Sequence, residues 1–554
     1  MLTQLFVHLA LAMQLAALAA DSPQHSELAD RKPLPKLAAP PGLLDTTYEQ
    51  RLIVKFHDRA RVRLGIDGQP MSPVGQGTNR DIADLATELD DLLGQGPGDA
   101  RRWAMRPLIG LAEAKLGRLE RNAAARSGRA QPDLAGMFVM RVEPGSLERV
   151  AALLHASPLV EFVHFQALGV PPPSSPGGCA DVAPATGDYT SLQGYFDGPA
   201  GLGMPYAWGL PGGRGEGVRI ADCEYGFREQ HEDLCHIIAE PGIEVHPNVV
   251  AYGWHEHGTA VLGQLVGGDN GYGITGLVPD ARALFFFEWS IDGRRRVEAI
   301  TNAVASVEPG DVVLLEMQTV GPGGGFAPAE VDPAVWTITR VATDLGICVV
   351  AAAGNGNQNL DSSAYAGYRS RGDSGAIIVG AGSADERRDK LTFSTYGSRV
   401  DLQAWGEDVF TAGYGSYAAM GGDPDQSYTH RFSGTSSASP MIAAAVASVQ
   451  GVHRARWGRP MAPQEVRDLL RDTGRPQGNG GHIGPMPDMV AAMDALLADG
   501  CLADFDGDGQ RTVFDILAFF DAFEAGRPWA DLDGDGSLTV LDFLAFQTAF
   551  DAGC

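Results

Sequence analysis

Five short apolar runs constrain the fold of the central part of this chain more than any other feature. They cover residues 218–221, 283–287, 312–315, 348–352 and 376–379. Helical patterns lie between these runs, and strands that alternate with helices typically form a parallel sheet covered on both faces. The sequence therefore predicts an α/β domain over residues 189–498, with a mainly parallel sheet and helices on both of its faces.

A candidate nucleophile follows a glycine in the run Phe-Ser-Gly-Thr-Ser-Ser-Ala-Ser-Pro at residues 432–440. The hydroxyl of Ser436 is a weak nucleophile, so it needs a general base and a carboxylate that orients the base. His257 opens a helical run over residues 260–266, and Asp222 ends the first apolar run. Both Ser436 and His257 lie at helix N-termini, where backbone amides stabilise negative charge.

Four sequence blocks resemble the subtilases, the subtilisin-like serine endopeptidases. They are Gly-Glu-Gly-Val-Arg-Ile-Ala-Asp at 215–222, His-Gly-Thr-Ala-Val-Leu-Gly at 257–263, Ala-Ala-Ala-Gly-Asn at 351–355 and Gly-Thr-Ser-Ser-Ala-Ser-Pro at 434–440. The order Asp, His, Ser is also that of subtilisin. The resemblance implies that Asp222 orients His257, that His257 is general base and then acid, and that Ser436 attacks the carbonyl. It further implies that the side-chain amide of Asn355 stabilises the oxyanion.

Two loops depart from the usual subtilase pattern. The segment 222–226 reads Asp-Cys-Glu-Tyr-Gly where the family has a small residue and then glycine after the acid. Glu224 brings a second negative charge close to Asp222; it either raises the pKa of His257 or points into solvent, and we expect the latter. The region that pairs with substrate corresponds to residues 314–319 and contains Glu316. These departures leave a catalytically silent, peptide-binding pseudoprotease as the alternative to an active enzyme.

The first 20 residues are apolar and end in Ala-Leu-Ala-Ala, which indicates a secretory signal peptide. They lack a basic residue before the apolar region, so a wrongly assigned start codon and an amphipathic membrane anchor are the alternatives. Residues 21–50 are interpreted as a linker. No other stretch reaches about 18 consecutive apolar residues, so the sequence predicts no membrane-spanning helix after removal of the signal.

Residues 51–168 have the pattern of a separate α+β domain. Strands are predicted at 51–56, 136–142 and 160–165, and helices at 81–93, 108–126 and 146–156. This succession before a subtilase resembles a subtilase propeptide, which implies a folding template that is later removed; an accessory domain that stays attached is the alternative. Residues 169–188 are rich in Pro, Gly and Ser and read as an accessible linker. Processing is expected between about residues 165 and 190.

The tail, residues 501–554, contains two similar acidic loops 27 residues apart, each followed by an apolar-striped helix. Oxygen ligands at these spacings, with a glycine at the sixth position, are what a calcium loop requires. The ligands predicted for Ca²⁺ are Asp504, Asp506, Asp508, the carbonyl of Gln510, Asp515, Asp531, Asp533, Asp535, the carbonyl of Ser537 and Asp542. Eleven acidic and only two basic residues make the tail hard to fold without cations.

The paired loops resemble a dockerin module more than a sensor EF-hand, because the twelfth position is Asp and no clear helix precedes the first loop. The resemblance implies a cohesin-like or cell-surface partner. A purely structural calcium cap is the alternative.

Six cysteines in an exported chain suggest disulfides. Cys501 and Cys554 bracket the tail and are predicted to pair. Cys348 is predicted to lie buried in a core strand. Cys223 pairs with Cys235, or Cys179 takes one of them.

The formal net charge of −27 argues against nucleic-acid binding, which needs a basic face. No zinc motif or phosphate-binding loop occurs, so the chemistry implies no cofactor beyond the structural calcium. The sequence thus predicts a secreted or surface-associated serine endopeptidase that acts on proteins or peptides and is made as a precursor. A scaffold component displayed through its tail is a further alternative.

Overall fold

The computed structural model describes residues 31–36, 51–65, 69–94, 103–142, 144–165, 184–498, 505, 511–524, 530, 532 and 538–552. The predicted signal peptide, the linker at 169–183 and the residues Cys179, Cys501 and Cys554 lie outside the described residues. So do eight of the predicted calcium ligands, namely Asp504, Asp506, Asp508, Gln510, Asp531, Asp533, Asp535 and Ser537.

The N-terminal unit, which comprises the described residues between 31 and 165, is built on a four-stranded antiparallel sheet of order β4-β5-β1-β6. Its strands are β1 (Leu52–Phe56), β2 (Arg63–Leu64), β3 (Pro70–Met71), β4 (Trp103–Pro107), β5 (Met137–Val142) and β6 (Val160–Phe165), and β2 pairs only with β3. Its helices are α1 (Gln76–Leu93), α2 (Glu113–Ser127) and α3 (Leu147–Ala156). The predicted elements occur, whereas the sequence analysis missed β4, an edge strand that contains Arg106 and ends in Pro107.

The central domain contains a seven-stranded sheet of order β17-β16-β15-β12-β7-β9-β8, and every pair in it is parallel. The strands are β7 (Arg219–Glu224), β8 (Ile238–Ala239), β9 (Arg282–Phe287), β12 (Val312–Leu315), β15 (Cys348–Ala352), β16 (Ile377–Gly382) and β17 (Leu402–Trp405). The predicted parallel sheet is confirmed. The strand β7 extends two residues beyond Asp222, which changes the interpretation of the site.

Shorter strands lie outside the main sheet. They form the pairs β10 (Trp289–Ser290) with β11 (Gly293–Arg294) and β13 (Gln318–Val320) with β14 (Phe326–Pro328). A three-stranded sheet contains β18 (Val409–Ala412), β19 (Ala418–Ala419) and β20 (Ser427–Phe432).

Helices cover both faces of the main sheet, as predicted. The central domain contains α4 (Met204–Trp208), α5 (Pro247–Ala251), α6 (His255–Val266), α7 (Arg296–Val304), α8 (Pro333–Asp344), α9 (Ala366–Arg369), α10 (Thr435–Trp457), α11 (Pro463–Asp472) and α12 (Met489–Ala498). A hydrophobic core lies on each face of the main sheet, and neighbouring residues of β12 point into different cores. Leu314 packs with α6 and α10 on one face, whereas Val313 packs with α7 and α8 on the other. Both residues are fully buried.

The N-terminal unit packs on the α7–α8 face of the central domain. Ile53 and Leu116 belong to the same hydrophobic cluster as Ile300 and Trp336. At the edge of this contact, His164 Nε2 lies 3.0 Å from Asp332 Oδ1. Gln131 Nε2 donates to Asp344 Oδ2 at 2.9 Å, and Arg129 also pairs with Asp344. The contact is therefore apolar at its centre and polar at its rim.

Two further helices lie in the tail, α13 (Val513–Glu524) and α14 (Val540–Ala552). Phe519 and Phe546 stack between them, with ring centroids 4.6 Å apart. Within the part of the chain that the structure describes, no helix is both long and apolar enough to cross a membrane.

The buried helix α10 crosses the turn after α4 at very short range. A Cβ atom on Gly451 would lie 2.0 Å from the carbonyl oxygen of Gly212. Because two backbones meet there, neither side can yield as a flexible side chain would. The position of α10, and hence of the residues at its N-terminus, depends on this close approach.

Gly451→Ala is expected to destabilise the protein by about 1–3 kcal/mol through this clash, although alanine favours an isolated helix by about 1 kcal/mol. Gly117→Ala in α2 is the matched control, because its nearest neighbour is the mobile guanidinium of Arg121 at 3.2 Å. The measurement is denaturant unfolding of both variants. Equal stability of Gly451→Ala and wild type would contradict the backbone contact.

Candidate active site

The carboxyl ends of three neighbouring strands carry the polar residues of one cleft. Glu224 ends β7, Glu316 follows β12, and Asn355 follows β15. Parallel strands present such ends at one edge of the sheet, which is where ligands bind in open α/β sheets. The cleft has a volume of about 600 Å³, and His257 and Ser436 also line it.

His257 is held by Glu224. The helix α6 begins at His255, two residues before His257, and the imidazole Nδ1 forms a hydrogen bond with Glu224 Oε1. Glu224 is 1% exposed. The edge of the Phe432 ring packs against the imidazole, with ring centroids 5.4 Å apart. This bond fixes the tautomer of His257, so that Nε2 is free to accept a proton.

The prediction that Asp222 orients His257 is wrong, and so is the expectation that Glu224 points into solvent. Asp222 lies inside the sheet, in register with Leu314 and Phe285 on the neighbouring strands. It is fully buried, and its carboxylate forms no hydrogen bond with another described side chain. Because β7 continues to Glu224, Asp222 lies about 7 Å short of the strand end. The Tyr225-Gly226 turn directly after Glu224 was the sequence signal for the true end of the strand.

Ser436 occupies the first turn of α10, which begins at Thr435. Gly434 precedes the helix with φ of +121°, a conformation that favours glycine. A Cβ atom there would lie 3.1 Å from Asn355 Nδ2. The glycine thus lets the backbone before Ser436 approach the amide of Asn355 closely.

Asn355 is oriented by Thr435. Its Oδ1 accepts hydrogen bonds from Thr435 N at 2.9 Å and from Thr435 Oγ1 at 3.0 Å. Its backbone amide donates to Gln318 Oε1 at 2.9 Å. Since Oδ1 already faces two donors, the NH₂ group is the end of the side chain that remains for a ligand in the cleft. The structure therefore places Asn355 beside Ser436 with its donor available.

Residues 215–485 match the subtilase family. The chain carries a subtilase domain. The intracellular serine protease of Paenibacillus polymyxa is 27% identical over 293 residues, which cover 51% of this chain and 81% of that protein. Thermitase of Thermoactinomyces vulgaris is 28% identical over 293 residues, which cover 52% of this chain and 94% of thermitase. Subtilisin E of Bacillus subtilis is 28% identical over 271 residues, with 49% of this chain and 64% of that protein covered.

Among solved structures, a protease from Pseudoalteromonas arctica PAMC 21717 is similar with a TM-score of 0.42 and 21% identity, covering 56% of this chain and 99% of that one. The family match and the relatives identify the subtilase domain as a serine-type endopeptidase. Its substrates are therefore proteins or peptides.

The subtilase domain also carries acidic residues in its cleft that the sequence analysis did not assign to the chemistry. Glu316 is 5% exposed, and its Oε1 lies 2.5 Å from Ser439 Oγ. Glu288 accepts a hydrogen bond from Arg296 Nε at 2.6 Å. Both Glu288 and Arg296 line the cleft, so this ion pair is part of its wall.

Two of the predicted calcium ligands lie among the described residues. Asp515 and Asp542 are fully buried at equivalent places, in the first turns of α13 and α14. Asp515 Oδ2 accepts from Thr512 N at 2.6 Å, and Asp542 Oδ2 accepts from Thr539 N at 2.7 Å. The described residues contain no group of three or more His, Cys, Asp or Glu that could hold a metal ion.

The cysteines of the subtilase domain differ partly from the prediction. Cys348 is buried and free in β15, as predicted. Cys223 is also buried and free, whereas Cys235 is in a disulfide. The alternative in which Cys223 pairs with Cys235 is therefore wrong, because Cys223 lies inside the main sheet.

Replacement of Glu224 and of Asp222 in turn tests which of the two carboxyl groups orients His257. Glu224→Gln is expected to lower kcat about 10³–10⁴-fold, because the amide can neither fix the His257 tautomer nor stabilise the imidazolium. Asp222→Asn is the matched control and should leave kcat close to that of wild type. The measurement is steady-state hydrolysis of a chromogenic peptide by both folded variants. A larger loss in Asp222→Asn would contradict the assignment.

Proposed function

We propose that this chain is a secreted serine endopeptidase that cleaves peptide bonds through Glu224, His257 and Ser436. The hydrogen bond that His257 Nδ1 donates to Glu224, in the cleft that also contains Ser436 and Asn355, is the observation that carries the proposal. The triad thus has glutamate in the place where the sequence predicted Asp222.

In the first half of the reaction, His257 Nε2 takes the proton of Ser436 Oγ as the oxygen attacks the carbonyl carbon of the substrate. The imidazolium that forms is stabilised by Glu224. The negative charge on the carbonyl oxygen is stabilised by the side-chain NH₂ of Asn355 and by the backbone amide of Ser436. His257 then gives its proton to the leaving amine, and an acyl-enzyme remains on Ser436.

In the second half, water replaces the amine. His257 removes a proton from the water as it attacks the acyl carbon, and it returns that proton to Ser436 Oγ when the acid product leaves. Burial lowers the pKa of His257 from its ordinary value. The imidazole is therefore a neutral base at neutral pH, and the rate should fall as the pH drops through this lowered pKa.

The N-terminal unit is proposed to be a propeptide. Its apolar contact with α7 and α8 supports a role as a folding template, because it covers an apolar surface of these helices that the domain would otherwise expose. The contact of His164 with Asp332, at 3.0 Å, also joins the two units. Cleavage is proposed between about residues 165 and 190, in the Pro-rich linker.

The tail is proposed to bind Ca²⁺ through the ligands given by the two acidic loops. The donor set fits this ion, since it consists of carboxylates and backbone carbonyls. Asp515 and Asp542 support the fit because both are fully buried carboxylates that accept backbone amides at the twelfth position of each loop. Ca²⁺ would supply the positive charge that this acidic segment lacks.

A surface on the tail suits a partner protein, which supports the dockerin-like role over a structural cap. Large apolar side chains at equivalent positions of α13 and α14 are about half exposed or more: Val513, Phe514, Leu517, Val540, Leu541 and Leu544. Exposed apolar groups of this kind mark interaction sites. We propose a cohesin-like or cell-surface partner for this face, which would place the enzyme at the cell surface.

Loss of Ser436 tests the enzyme and propeptide proposals together. Secreted wild type is expected to lack its N-terminal unit, whereas Ser436→Ala stays full length, because the precursor cleaves itself. Ser433→Ala, an exposed neighbour in the same cleft, is the matched control and should be processed. Intact mass and N-terminal sequence measure the outcome. If wild type also stays full length and a fluorophosphonate does not label it, the pseudoprotease alternative is favoured.

Removal of calcium tests the tail. Excess EGTA added to the Ser436→Ala protein is expected to abolish the protease resistance of the tail and part of the helical circular dichroism, with recovery in Ca²⁺. Asp515→Asn should weaken this recovery, whereas Asp551→Asn, an exposed residue in the last turn of α14, should not. Chelation should also release the enzyme from cells into the medium. An unchanged tail after chelation would contradict the calcium proposal.

A further inference from the structure

Glu316 lies at the base of the cleft without a role in the mechanism described above. It follows β12, the strand between β7 and β15, and it lines the same cleft as His257 and Ser436. Its Oε1 lies 2.5 Å from Ser439 Oγ. Its Oε2 is buried and forms no hydrogen bond with any described residue. A buried carboxyl with one partner requires an explanation.

The two oxygen atoms that face the Ser439 hydroxyl are compatible with a protonated Glu316. Ser439 Oγ lies 2.7 Å from the carbonyl oxygen of Thr435 as well as 2.5 Å from Glu316. A serine hydroxyl has one proton, and a carbonyl oxygen only accepts. If Ser439 donates to Thr435, the short contact with Glu316 needs a proton from the carboxyl group. A chain from Glu316 O–H to Ser439 O–H to the Thr435 carbonyl then gives each hydroxyl proton an acceptor.

The charges around Glu316 favour the same form. Asp222 and Glu224 from β7 act on it with like charge, and His257 from α6 is the cation that opposes them. His257 is already bonded to Glu224, and Arg296 is bonded to Glu288. Burial raises the pKa of Glu316 well above its ordinary value, and it raises the pKa values of Asp222 and Glu224 as well. These three buried carboxyl groups cannot all be ionised near a single imidazole, and Glu224 is the one that is bonded to it.

We propose that Glu316 is a positioning residue that works as a neutral carboxylic acid and donates its proton to Ser439. This bond joins the residue after β12 to Ser439, which lies about one turn after Ser436 in α10. It also leaves Glu224 as the carboxylate that faces His257. When Glu316 ionises at alkaline pH, the hydrogen-bonded chain loses its proton and a negative charge arises in the cleft, so turnover declines. The inference rests on the proposed function of the cleft.

The test compares pH profiles of kcat/KM for wild type, Glu316→Gln and Glu316→Ala. The amide NH₂ of glutamine can donate to Ser439, so Glu316→Gln should keep near wild-type activity at neutral pH and lose the alkaline decline. Glu316→Ala breaks the chain and should lose about tenfold, the value of one hydrogen bond. A loss of about 100-fold or more in folded Glu316→Gln at neutral pH would overturn the proposal, because it would mean that a negative charge is required.

Infrared spectroscopy provides a readout that does not depend on activity. At neutral pH, wild type should show the C=O stretch of a protonated carboxyl that is absent from Glu316→Gln and shifted in Ser439→Ala. Identical protonated-carboxyl bands in wild type and Glu316→Gln would overturn the proposal. Fluorophosphonate labelling of wild type separates the two failures: an unlabelled Ser436 refutes the proposed hydrolase, while the infrared result still decides the state of Glu316.

Discussion

The buried hydrogen bond between His257 and Glu224 is the interaction on which the geometry of the cleft depends. A carboxyl group and an imidazole are costly to bury unless each satisfies the other. The bond joins the end of β7 to the first turn of α6, so it fixes both the strand end and the helix start. Ser436 and Asn355 can then be placed around His257 by a second helix and a neighbouring strand.

A second buried hydrogen bond, between Glu316 and Ser439, joins the end of β12 to α10 in the same way. The cleft is therefore held by two carboxyl groups at the ends of adjacent strands, each bonded to the N-terminal part of a different helix. The carboxyl groups of Glu224 and Glu316 differ in the group to which each is hydrogen-bonded. An imidazole can carry a positive charge and stabilises a carboxylate, whereas a hydroxyl that already donates elsewhere is satisfied by a neutral acid.

The two flanking segments differ in how they relate to the subtilase domain. The N-terminal unit shares a hydrophobic cluster with α7 and α8, so its burial contributes to the core of the domain. The tail has its own small core, centred on Phe519 and Phe546. A core of this size rarely stabilises a module alone, which is the physical reason to expect a metal or a covalent link in the tail.

The sequence by itself determined the parallel sheet, the helices on its two faces and the positions of His257, Ser436 and Asn355. These follow from local signals, since an apolar run, a glycine turn and a helix start lie next to one another in the chain. Only the tertiary structure decided which acid meets His257, because the end of β7 depends on its pairing with β9 and β12. It also decided the partner of Glu316, since Ser439 is 123 residues away in the chain. Contacts between distant elements are set by packing, and no local pattern in the sequence encodes them.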